Sequence, residues 1–66
     1  REETFSDLAI QMERWFNVSI EIKNEKVAQE RLNGTLETET ITQALDALQI
    51  TTSFRYEKTG NKVIIQ

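Results

Sequence analysis

The chain has 66 residues, 38% of them apolar, and a single domain of that size buries only roughly 60% of the surface its unfolded chain exposes. His, Cys and Pro are absent, which excludes disulfides, thiolate chemistry, the usual zinc and redox-metal sites, and Ser-His-Asp or Cys-His nucleophile systems. With 8 basic against 11 acidic side chains and a net charge of −3, the chain lacks the electrostatic footprint of a nucleic-acid binder.

Phe5, Leu8, Ala9, Met12, Trp15 and Phe16 recur at spacings of three and four, which places them on one stripe of a first helix. Thr4 serves as its N-cap, with Asp7 completing a capping box, and Asn17 is suited to the left-handed conformation that stops it. Val18-Ser19-Ile20-Glu21-Ile22 then alternates apolar and polar and is rich in β-branched residues, the pattern of a half-buried strand. The stretch from Lys23 to Glu30 is polar apart from Val27 and Ala28, and reads as a connection anchored by one side chain.

Leu32, Gly34 and Leu36 next fall on one side, with Arg31, Asn33, Thr35 and Glu37 on the other. Asn33-Gly34 also suits a two-residue hairpin turn, but its flanking strands would be very short, so one strand through Gly34 is preferred. Thr40 caps a second helix with Gln43 as its box partner, and Ile41, Ala44, Leu45 and Leu48 form the buried stripe. Its end is poorly marked, and Ile50 is expected to fold back as a cover. Phe54 and Tyr56 face inward from a strand whose Arg55 and Glu57 face outward, and a turn at Thr59-Gly60-Asn61 leads into a closing strand from Lys62 to Gln66. Consecutive Val63, Ile64 and Ile65 imply that this last strand is covered on both faces.

The two helix–strand units repeat with a shift of 36 positions. Thr4 falls on Thr40, Phe5 on Ile41, Leu8 on Ala44, Ala9 on Leu45 and Met12 on Leu48, and then Val18 on Phe54, Ile20 on Tyr56 and Glu21 on Glu57. Either two short units have converged or a β-α-β unit has been duplicated. In the second case a counterpart of the strand at Arg31 to Glu37 belongs before the first helix, where it would lie upstream of Arg1, and the expectation is that it is missing or nearly so. The fold class expected is α+β: two β-α-β-like halves, with two helices packed on small sheets.

Candidate sites are few. Trp15 and Phe16 read as core anchors. Ile10 lies off the stripe with Arg14, so these two are the candidate partner-binding residues. Glu2, Glu3, Glu37 and Glu39 lack the alternating ligands and turn glycine of a calcium loop and read as solvated charge. The Asn17-Val18-Ser19 and Asn33-Gly34-Thr35 glycosylation patterns are short, and both asparagines have better structural explanations. No catalytic, cofactor-binding or metal-binding residue is expected, and the domain is read as non-enzymatic. No apolar run approaches the ~18 residues of a membrane span. With neither a leader nor an initiator Met, residues 1–66 are expected to be one domain cut from a longer protein. A sheet edge left open by a truncated strand is a plausible docking mode.

Thr4-Phe5-Ser6-Asp7-Leu8 and then Met12-Glu13-Arg14-Trp15-Phe16-Asn17-Val18 resemble the C-terminal domain of FecR-family anti-sigma factors, as found in Bacteroidetes. That domain carries a Leu-Glu-Arg-Trp-Tyr-Asn-Val-like helix end, and its later Gly-Thr-Phe, Ala-Leu-x-x-Leu, Phe-Lys-Tyr and Ile-Ile-Ile patterns are matched in order. Here they are Gly34-Thr35-Leu36, Ala44 to Leu48, Phe54-Arg55-Tyr56 and Val63-Ile64-Ile65. Met12 and Phe16 depart from the more usual Leu and Tyr. The resemblance implies a periplasmic sensor domain whose membrane-anchored parent holds an extracytoplasmic-function sigma factor through a cytoplasmic segment. It also implies a partner, the N-terminal signalling domain of a TonB-dependent outer-membrane transporter, and no cofactor. The alternative is a structural assembly module of the kind found at the N-termini of secretins and TonB-dependent receptors.

Overall fold

Thr4 and Thr40 start the two long helices in the same way. Each sits in extended conformation, and its hydroxyl accepts the backbone N–H three residues on, from Asp7 at 3.2 Å and from Gln43 at 3.1 Å. At Thr4 the box is reciprocal, because the Asp7 carboxylate accepts the Thr4 N–H. Such caps satisfy donors that the first helical turn leaves unpaired, and each stabilises by about 1 kcal/mol.

The computed structural model describes residues 3–32 and 40–66. Chain order is β1 (Glu3–Thr4), α1 (Phe5–Phe16), β2 (Ser19–Ile22), α2 (Glu25–Gln29), β3 (Arg31–Leu32), α3 (Ile41–Thr51), β4 (Tyr56–Thr59) and β5 (Lys62–Ile65). β1 and β3 pair antiparallel in a two-stranded sheet, while β2, β5 and β4 form a three-stranded one with β5 in the centre. β5 runs parallel to β2 and antiparallel to β4. The fold is α+β, and β1-α1-β2 and β3-α3-β4 are its two halves. A strand does stand before the first helix, two residues long.

The helix stripes carry the core. Phe5, Met12, Ala44 and Leu45 are fully buried, Ala9 and Leu48 nearly so, and Val63 and Ile65 meet the helical side chains from the central strand. Of the positions related by the 36-residue shift, Phe5 and Ile41, and likewise Met12 and Leu48, are members of one buried cluster. Each large apolar side chain taken wholly out of water stabilises by roughly 1.5–3 kcal/mol. Phe54 adds a ring edge to Phe5, with centroids 5.2 Å apart and planes at 82°, the geometry in which the positive rim of one ring meets the negative face of the other.

Four expectations need correction. Lys23 to Glu30 is no simple connection: Glu25–Gln29 is helical, with the Asn24 side chain accepting the N–H groups of Lys26 and Val27. Helices therefore number three among the described residues. Ile50 does not fold back. α3 runs on to Thr51, and two residues past Leu48 is about 200° around a helix, so Ile50 points away from the core and is 84% exposed.

Trp15 is 56% exposed instead of anchoring the core, because it lies about 90° from the centre of the α1 stripe. Phe16 alone of that pair packs against the core. Finally, β5 is unevenly covered: Val63 and Ile65 are buried, but Ile64 on the opposite face is only half-buried, between Glu21 and Glu57. The two readings of Gly34 fall in residues 33–39, outside the described residues; Arg31–Leu32 of that strand is seen, paired with β1.

Candidate protein-interaction site

The end of α1 shows how the sequence run Glu13 to Val18 builds local structure. Asn17 takes the left-handed conformation, φ 52° and ψ 51°, as expected for a helix stop. The Glu13 carbonyl accepts the N–H of Asn17 and, at 3.2 Å, that of Val18, which closes the helix. The chain then turns directly into β2, whose Ser19 N–H bonds the Asn61 carbonyl and whose Lys23 neighbour bonds Ile65, each at 2.8 Å.

Those two bonds fix which backbone groups of β2 face β5 and which face outward. Ser19, Glu21 and Lys23 turn toward β5, so Ile20 and Ile22 turn toward the free edge of the sheet. At that edge the Glu13 carboxylate accepts the Ile20 N–H at 2.8 Å. Sequence reading missed this role of Glu13. An acidic residue seven positions before Ile20 of an alternating strand was its only signal.

The sequence candidates Ile10 and Arg14 stand one turn apart on the outward side of α1. Ile10 is 53% exposed, Arg14 is exposed, and Arg14 makes no ion pair among the described residues. An exposed apolar side chain beside a free guanidinium suits a partner of mixed apolar and acidic character. Trp15, about 100° round α1 from Arg14, is a second exposed large side chain of the helix.

β4 supplies the other edge. Arg55 and Gln66 exchange two backbone bonds, at 3.1 and 2.8 Å, extending the β4–β5 ladder by one pair. Gly60 at φ 59° and Asn61 at negative φ make the connecting turn, the φ signs of a type II′ hairpin. From α3, the Gln49 amide donates to the Phe54 carbonyl at 3.0 Å, and the Tyr56 hydroxyl donates to the Asp46 carboxylate at 3.0 Å. Burial first, and that carboxylate second, push the Tyr56 phenol above its ordinary value of 10.0. On the outward sheet face Lys62 and Glu21 lie 3.8 Å apart and half exposed, a pair that contributes about 0–1 kcal/mol. No cluster of three potential metal-ligating side chains occurs among the described residues.

Two paired halves, a two-stranded and a three-stranded sheet and the Glu13-to-Val18 helix stop agree with the family resemblance of the sequence. The model of the FecR C-terminal family matches residues 1–65. This chain belongs to that family. No curated protein and no solved structure gives a significant match to it. As a FecR C-terminal domain it is a signalling domain of FecR-type anti-sigma regulators, a class that is typically periplasmic. Among its described residues no helix is long and apolar enough to cross a membrane.

Proposed function

We propose that this FecR C-terminal domain receives, in the periplasm, a signal from the N-terminal signalling domain of a TonB-dependent outer-membrane transporter. The parent protein relays that signal to an extracytoplasmic-function sigma factor held by its cytoplasmic part. The observation that carries this reading is the family match over residues 1–65. In this reading the domain performs no chemistry: it lacks His and Cys, and it acts by reversible docking.

The docking surface is the outward side of α1, with Ile10 as the apolar contact and Arg14 as the charged one. Contacts of this modest size give an affinity suited to a signal that must be released. Calorimetric titration of this domain with a purified transporter signalling domain from the same bacterium tests it. Saturable binding, weakened at least about tenfold by Ile10→Glu or Arg14→Glu and unchanged by Ile50→Lys, supports the reading. Absence of binding to every transporter signalling domain of that bacterium overturns it.

A further inference from the structure

The two edges of the three-stranded sheet are not equivalent. On the β2 side the Ile20 N–H is already taken by the Glu13 carboxylate. On the β4 side the Arg55–Gln66 exchange sets the phase of the ladder: Arg55, Glu57 and Thr59 turn their backbone groups to β5, and Phe54, Tyr56 and Lys58 turn theirs outward. The Phe54 carbonyl holds the Gln49 amide, but the backbone N–H and C=O of Tyr56 and Lys58 take no partner among the described residues. An edge left in this state is a template for another strand.

We propose that a second copy of this domain supplies that strand, pairing β4 with β4 antiparallel about a two-fold axis at Tyr56. The sheets would then join into one of six strands. Two-fold pairing requires a self-complementary patch, and the charges along β4 select a single register. Outward-facing residues must meet outward-facing residues, so the axis passes at a residue of this stretch: Arg55, which would set two guanidinium groups against each other, Tyr56, Glu57 or Lys58. An axis at Glu57 sets the two Glu57 carboxylates against each other, and one at Lys58 does the same with two ammonium groups. With the axis at Tyr56, each Arg55 lies opposite Glu57 of the second copy, twice over, and Phe54 lies opposite Lys58.

Opposite charges directly across strands are favourable and like charges unfavourable. Arg55 and Glu57 are exposed and form no ion pair among the described residues, so both are available. The Tyr56 N–H and C=O groups on the axis bond each other reciprocally. Lys58 N–H reaches the second lone pair of the Phe54 carbonyl that Gln49 already uses. A contact one short strand long buries less than the ~1,200 Å² of a standard stable interface, so the dimer forms and dissociates readily and is populated at high concentration.

Sedimentation equilibrium from micromolar to low millimolar protein tests this, with circular dichroism confirming that each variant is folded. The wild-type mass is expected to rise from 7.7 kDa toward twice that value. Arg55→Glu alone and Glu57→Arg alone should each weaken association at least about tenfold. Mixing those two variants should restore it, because every cross-strand pair then joins opposite charges. Lys58→Pro, which removes an outward N–H without touching the β4–β5 ladder, should also weaken it. A wild-type protein that stays monomeric at millimolar concentration overturns the proposal, even if the same edge captures a strand of a different protein. So does an Arg55→Glu variant that associates as the wild type does.

Discussion

Glu13 and Ile20 are joined by a 2.8 Å hydrogen bond between a side-chain carboxylate on α1 and a backbone N–H at the free edge of β2. Glu13 also offers its carbonyl to Val18 at 3.2 Å. One residue thus closes the helix, fixes where the strand begins and occupies a donor that would otherwise invite a foreign strand. This gives a structural reason for the Glu-Arg-Trp-aromatic-Asn-Val run.

Removing that carboxylate is therefore expected to destabilise the domain. A charge-assisted bond at a half-buried site is involved, so Glu13→Ala should cost about 1–2 kcal/mol in urea unfolding. Glu13→Gln keeps an acceptor and should cost less. Hydrogen exchange at the Ile20 amide should quicken in Glu13→Ala more than exchange at Glu21, which faces β5. Equal acceleration at both amides would show that Glu13 acts on the whole sheet and not on its edge.

Asn17 offers a second test, because its φ of 52° is imposed by the helix stop. A side chain with a Cβ resists this region by about 1–2 kcal/mol, a cost that Asn lessens and Gly escapes. Urea unfolding should rank the variants as Gly at least equal to Asn, with Asn17→Ala lower by about 1 kcal/mol. If Ala matched Asn, the left-handed turn would not be what limits this position.

Much of this fold was legible because its long elements carry redundant signals. α1 and α3 each have a threonine cap and a stripe of period near 3.6, and β2 alternates with period two; the structure places α1, β2 and the start of α3 within a residue or so, while α3 runs on past its expected end to Thr51. α2 escaped because five residues hold barely one turn, too few to show a period. Trp15 and Ile50 were misjudged for a different reason. Hydrophobicity suggested burial, while their angular positions on the helices left them exposed. The exposure of Ile10 and Arg14 was legible from that same angular reading. The bond from Glu13 to Ile20 and the open edge at Tyr56 were not, since both depend on the phase of hydrogen bonding between distant strands.

The Phe5–Phe54 contact joins the start of α1 to the approach of β4, and Phe5 is fully buried. Phe5→Ala removes a core ring and leaves a cavity, at a cost of about 3–5 kcal/mol. A domain of this length has a total stability of roughly 3–10 kcal/mol, so the variant should lose a large share of it and show a much lower urea midpoint by circular dichroism. Phe5→Leu keeps most of the volume and should remain folded, with a reduced urea midpoint.

Tyr56 is the single tyrosine of the chain, so its phenol can be titrated by absorbance without interference. Burial, and then the bond to the Asp46 carboxylate, raise its pKa above 10.0. The folded state therefore holds the phenolic proton to higher pH than the unfolded chain does. The stability linked to it is fully present below about pH 10 and is lost as pH rises through the folded value. The wild-type midpoint should lie above that of the urea-unfolded chain. Asp46→Asn should lower it only in part, because burial is the larger cause and remains. A midpoint in Asp46→Asn equal to that of the unfolded chain would assign the whole shift to the carboxylate and would mean that the ring is more hydrated than its position beside Phe54, with centroids 6.5 Å apart, implies.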